Sequence, residues 1–174
     1  MKGAQKISLI LLSAVLMVVL ASNTNCGVYR FNEAGSVPDS IKTVKVLYLE
    51  NRAQYVNPQF SPKLTDKLRQ KIVGQTKLSQ TNGDNADWEI SGYVREYTFS
   101  TSAISGQQAS NNRLTVTVHI TLNDRKSGAT KEHDVTRSVE FPGNQTFQQA
   151  ETSKMDELIR ILIDDIFNKL FSDW

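Results

Sequence analysis

RLTVTVHITLN, residues 113–123, alternates without interruption: Leu114, Val116, Val118, Ile120 and Leu122 fall on one side, Thr115, Thr117, His119 and Thr121 on the other. A period of two marks a strand with one buried and one polar face, as in an antiparallel sheet covered on a single side. The flanking chain must therefore supply strand partners and one apolar cover.

On the C-terminal side, NDRKSGA (123–129) reads as a hairpin turn. Residues 131–141 then form a strand with His133, Val135, Arg137, Val139 and Phe141 in one phase, stopped by Pro142-Gly143. Thr146-Phe147-Gln148-Gln149 has the form of a capping box, in which the threonine oxygen and the glutamine side chain satisfy each other's amides. It opens a long helix whose Met155, Leu158, Ile159, Leu162, Ile163, Ile166, Phe167, Leu170 and Phe171 make an apolar face wide enough to cover a sheet.

On the N-terminal side, the polar residues 100–112 are expected to form a long hairpin loop. WEISGYVREYTF (88–99) reads as a strand whose large residues change phase about Gly92-Tyr93, which predicts a bulge or sharp twist at the glycine. Asn82-Gly83-Asp84 is a turn. Before it, Ser61 as N-cap and Pro62 at the first helical position open a helix carrying the stripe Phe60, Leu64, Leu68 and Ile72 and ending near residues 74–78. TVKVLYLE (43–50) is the first strand, with a loop over 51–58. The order is β-α-β-β-β-α. It implies an α+β two-layer sandwich, two helices on one face of a small mixed four-stranded sheet, the first two strands parallel across a helical crossover.

Ahead of this domain stand Lys2 and Lys6, an apolar run over 7–21, and the chain's only cysteine, Cys26. The run is shorter than the roughly 18 to 20 residues a membrane-spanning helix needs, so it reads as the apolar core of a secretory leader. A cysteine at its end reads as the lipidation site of a bacterial lipoprotein. Residues 1–25 are then a cleaved signal peptide, 26–40 a lipid-anchored segment and 41–174 the folded domain. Asn23 and Asn25 depart from the usual lipobox, which favours Leu and a small residue at those places; Thr24 and Gly27 fit it. Residues 27–32 carry no acid that argues for inner-membrane retention or surface display. The inner leaflet of the outer membrane, facing the periplasm, is the expected location.

Without Lys2 and Lys6, the 20 basic residues fall to 18 against 18 acidic ones, so the mature chain is near neutral and nucleic acid is not an expected partner. No motif for a metal, phosphate or nucleophile occurs, and no cofactor is expected. The histidines, His119 and His133, fall in strands without clustered partners, so no catalytic residue is assigned; a hydrolase built on one of them is the weakest alternative. Arg95, Arg113, Arg125, Lys126 and Arg137 lie on strands or hairpin ends, where guanidinium groups can bind phosphate or simply pair with surface acids.

Four separated segments carry a resemblance: Cys26-Gly27-Val28-Tyr29-Arg30-Phe31, Asn51-Arg52-Ala53 with Val56-Asn57-Pro58, NRLTVTV (112–118) and DIFNKLFSDW (165–174). Together they resemble the LptE family in the form found in Bacteroidota. The resemblance implies a non-catalytic outer-membrane lipoprotein that complexes with an LptD-type β-barrel, assists its assembly and helps insert lipopolysaccharide into the outer leaflet. It also implies lipopolysaccharide contacts through basic residues, for which Arg95, Arg113 and Lys126 are the candidates by local geometry. The other reading is a periplasm-facing lipoprotein that recruits or activates an envelope enzyme or a secretion pore.

Overall fold

The strand over 113–123 forms as its alternation requires, with Leu114, Val116, Val118 and Ile120 fully buried and Leu122 only 1% exposed. Burying five such side chains contributes about 10 kcal/mol before conformational entropy is counted. The computed structural model describes residues 37–105 and 108–171, with the side chains of 102–105 and 108–110 excepted. The expected signal peptide, Cys26 and the segment up to residue 36 lie outside the described residues.

The elements run β1 (Thr43–Val46), β2 (Glu50–Asn51), α1 (Phe60–Gln75), β3 (Ser79–Gln80), β4 (Trp88–Ser105), β5 (Gln108–Asp124), β6 (Ala129–Pro142) and α2 (Phe147–Phe171). The sheet has six strands in the order β3-β1-β4-β5-β6, with β2 also on β4. β1 is parallel to β3 and β4, β2 is parallel to β4, and β4, β5 and β6 form an antiparallel meander. The α+β sandwich with two helices and a mixed sheet is as expected, but four strands become six. Both extra strands, β2 and β3, are two residues long, too short to leave a periodic signal.

β1 and β2 are one strand interrupted at residues 47–49. Val44 and Val46 are buried, then Leu49, so the buried phase slips by one. The backbone groups freed by the break are satisfied from α1: Leu49 N–H donates to Thr65 Oγ1 (3.1 Å), and Arg69 Nη2 donates to the Val46 carbonyl (2.9 Å). In β4 the register shift lies between Val94 and Glu96, leaving Arg95 as the extra residue. The bulge expected at Gly92-Tyr93 is therefore displaced. Gly92 instead permits a close approach of strands, because a Cβ there would lie 2.3 Å from the His119 carbonyl oxygen on β5.

Within the polar stretch 100–112, residues 100–105 and 108–112 are strand and not loop. β4 and β5 stay paired from Ser100–Arg113 out to Ser105–Gln108, with further register shifts at Thr101/Ala103 and Ala103/Ile104. Backbone pairing needs no apolar face, so strands can continue through a polar stretch that shows no alternation. The first helix also starts differently: Ser61 is its buried second residue, and Asn57 Oδ1 instead accepts from the Gln59 amide (2.9 Å) at its entry. Its stripe of Phe60, Leu64, Leu68 and Ile72 is fully buried, as expected. The capping box of α2 is formed in both directions, Thr146 N–H to Gln149 Oε1 (2.9 Å) and Gln149 N–H to Thr146 Oγ1 (3.3 Å). All nine apolar residues expected to cover the sheet are buried in one core with α1 and the inner faces of the strands.

Candidate functional site

The sheet face turned away from the helices is a lattice of paired polar groups. Across β5 and β6, Thr115 meets Ser138 (2.8 Å), Thr117 meets Thr136 (2.9 Å), and Arg113 pairs with Glu140 (2.8 Å). Asp134 takes Arg95 from the β4 bulge (2.5 Å) and His119 Nδ1 (2.9 Å). His119 and Arg95 together hold the Asp134 carboxyl below its ordinary range. Tyr93 stacks beside His119 with ring centres 5.1 Å apart, and the Arg52 guanidinium lies 4.6 Å from the Tyr93 ring centre. Each guanidinium on this face has its own carboxylate, so the surface is hydrogen-bonding without carrying a field of one sign.

The basic residues singled out from the sequence do not converge. Arg95 lies at mid-sheet. Arg113 is at the end where the β4–β5 ribbon extends, and Lys126 is in the β5–β6 hairpin at the opposite end, where residues 37–43 enter the domain. Lys126 Nζ contacts the Ser40 carbonyl and pairs with Asp87 (3.0 Å). Asp87 also accepts from the backbone amides of Lys42 (2.7 Å) and Thr43 (3.0 Å), and returns its own N–H to Thr43 Oγ1 (2.9 Å). The amide of Lys42, then Lys126, hold its carboxyl well below the usual carboxylate range. This clip fixes where the entering chain joins the sheet. Of the other two, Arg125 pairs with Glu89 (2.5 Å) at the same end, and Arg137 turns to the helix layer and pairs with Asp165.

At the ribbon end lies a cluster that the sequence reading missed. Glu151, 5% exposed in α2, accepts from Tyr55 (3.0 Å), Asn57 (2.9 Å) and Tyr97 (2.9 Å). Bridges from Lys63 to Asp156 (3.3 Å) and Lys71 to Asp164 (2.8 Å) show α1 and α2 running the same way. Both helices thus begin at this end of the domain, where the three side-chain donors satisfy the carboxylate. Burial, then Glu151, push the Tyr97 phenol far above its ordinary range. Aromatic rings surround the cluster: Phe60 meets Tyr97 edge-on at 5.3 Å, and Phe99 stacks on half-exposed Phe147 at 4.2 Å. A signal existed, since Glu151 lies four residues before Met155 on the apolar stripe of α2.

His119 and His133 occupy adjacent strands in opposite phases, His119 opposite Asp134 and His133 opposite Ile120, so they face opposite sides of the sheet. They cannot act on one substrate. Among the described residues no group of three His, Cys, Asp or Glu side chains can hold a metal ion, and no helix is long and apolar enough to cross a membrane.

Comparison with known proteins adds a sequence match and a fold likeness. Residues 41–170 match the LptE family model, described as lipopolysaccharide-assembly. A search of curated protein sequences gives no match. Among solved structures, the hypothetical protein CT253 from Chlamydia trachomatis is 8% identical, with 76% of this chain and 98% of that chain covered and a TM-score of 0.54. The PelC dodecamer from Paraburkholderia phytofirmans is 16% identical, with 79% and 94% covered and a TM-score of 0.50. Rare lipoprotein B from Shewanella oneidensis is 11% identical, with 74% and 91% covered and a TM-score of 0.48. At these identities the likeness is one of fold. The family match spans most of the described domain, from the residue before the Asp87 clip to the last turn of α2, and by it the chain belongs to the LptE family of lipopolysaccharide-assembly proteins.

Proposed function

We propose that this chain is a non-catalytic outer-membrane lipoprotein, acylated at Cys26 and facing the periplasm, that complexes with an LptD-type β-barrel, assists its assembly and helps insert lipopolysaccharide into the outer leaflet. The observation that carries the reading is the family match over residues 41–170. The polar sheet face supports it, because a domain lying within a barrel lumen meets polar walls and must offer hydrogen bonds rather than apolar area. Residues 1–25 are read as the removed leader and 26–40 as the tether, which ends at the Asp87 clip. From Cys26, roughly a dozen residues at about 3.3 Å each span about 40 Å, enough for a leaflet-bound domain to enter a neighbouring barrel.

Arg95 and Arg113 remain candidates for contact with lipopolysaccharide phosphates. Their side chains are 54% and 46% exposed, and each is bound to its carboxylate through one nitrogen, Nη1 of Arg95 and Nη2 of Arg113, which leaves other guanidinium N–H groups for a phosphate. Lys126 is a candidate at the far end of the sheet. Depletion of the protein in its host tests the reading, with barrel assembly and surface lipopolysaccharide as the two readouts. Loss of both is expected. Normal barrel assembly with normal surface lipopolysaccharide would end it.

A further inference from the structure

The interruption between β1 and β2 places an aromatic ring where regular pairing would not. Leu49 turns into the core and Tyr48 is left 52% exposed. Among the described residues Tyr48 makes no hydrogen bond and no ring contact. It borders a depression of about 340 Å³ on the polar sheet face, whose walls include Glu50, Arg52, Tyr93, His119 and Thr121. The surround is firm: Thr65 and Arg69 hold the break from behind, and Arg52, Tyr93 and His119 stack beside it.

The charges here cancel. Arg52 is held by Glu50 through Nε (3.2 Å) and Nη2 (3.1 Å), and His119 by Asp134 (2.9 Å). A phosphate would have to displace Glu50 and then sit beside it. A hydroxylated, uncharged ring meets no such cost. It would stack its C–H face on Tyr48 and share hydrogen bonds with Glu50, Arg52 and Thr121, all of which present donors or acceptors at the surface.

We propose that this depression is a binding site for a neutral saccharide ring, with Tyr48 as its stacking platform and the Glu50–Arg52 pair as its hydroxyl-reading group. Such a site goes beyond the assembly reading and does not depend on capture of a barrel.

The test is saturation-transfer NMR on the full chain in detergent. The probes are a delipidated, dephosphorylated oligosaccharide released from the host lipopolysaccharide, maltohexaose as an unrelated neutral glycan, and inorganic phosphate. Expected is saturable binding of at least one saccharide, weakened about tenfold in Tyr48→Ala and kept within about threefold in Tyr48→Phe, which retains the ring. The two saccharides tell whether the ring comes from the lipopolysaccharide or from any glucan. No saccharide binding up to roughly 10 mM, binding of phosphate alone, or equal binding by Tyr48→Ala would overturn the proposal. So would a Tyr48→Ala variant that keeps its saccharide but loses a protein partner. Tyr48 is exposed, so the unfolding midpoint of both variants should match the parent. Barrel capture by the unmutated chain, scored separately, reports on the assembly reading alone.

Discussion

Replacing Glu151 tests whether the ribbon end is held by a buried carboxylate. In Glu151→Ala, the donors of Asn57 and Tyr97, residues 8% and 2% exposed, lose their acceptor, while half-exposed Tyr55 can turn to water. Each orphaned buried donor costs about 1–3 kcal/mol. The space left by the side chain adds about 1 kcal/mol, so the expected loss is about 5 kcal/mol. Glu151→Gln keeps the shape and one acceptor oxygen. It faces its amide nitrogen toward one hydroxyl that can reverse, so the expected cost is about 1.5 kcal/mol. Tyr97→Phe should cost a similar amount, and with Glu151→Ala it should be clearly non-additive, because each removes the same hydrogen bond. Urea unfolding of residues 27–174, followed by far-ultraviolet circular dichroism, measures all four variants. A Glu151→Ala loss below about 1 kcal/mol, or additive behaviour of Tyr97→Phe and Glu151→Ala, would refute the reasoning.

Gly92→Ala should destabilise by about 2–3 kcal/mol, since its methyl would meet the His119 carbonyl at 2.3 Å and backbone cannot yield as a side chain can; an unfolding midpoint equal to the parent's would contradict this. Asp87→Asn should cost about 1.5 kcal/mol at neutral pH. The Asp87 carboxyl titrates below its unfolded value of about 3.9, so its contribution is complete above that value and lost as pH falls through the lower folded one. Parent and variant should therefore converge in acid, and a gap that widens there would be the wrong sign. Thr146→Ala removes the oxygen that caps Gln149 and should cost about 1 kcal/mol, measured by the same unfolding assay.

What the sequence made legible was whatever packing against the core imposes. The inner face of β5, the stripe of α1 and the broad face of α2 each repeat an apolar residue at the period of their element, and each is buried as read. Elements set by backbone pairing or by distant partners leave a weaker trace. The ribbon of residues 100–105 and 108–112 is held by backbone pairing that any polar residue can join. β2 and β3 are fragments set by their neighbours, and in β4 a conspicuous glycine draws the expected phase slip to Gly92-Tyr93 although the extra residue is Arg95. At the start of α1, Ser61-Pro62 is a good local entry signal, yet the Asx turn of Asn57 prevails because its side chain is tied to Glu151, 94 residues away. Glu151 itself and the platform of Tyr48 depend on which distant residues meet them, a relation that local spacing does not carry. Cys26 rests on the leader pattern alone.

The central claim is that this domain serves a barrel. Affinity capture of the full chain, tagged at its C-terminus and solubilised from native outer membranes, tests it most directly. Expected is one large β-barrel protein at near-equal stoichiometry, retained in high salt because the polar sheet face pairs its charges internally, and reduced when Cys26→Ser removes the anchor. Recovery of the tagged chain with no barrel, or with a periplasmic enzyme in its place, would contradict it.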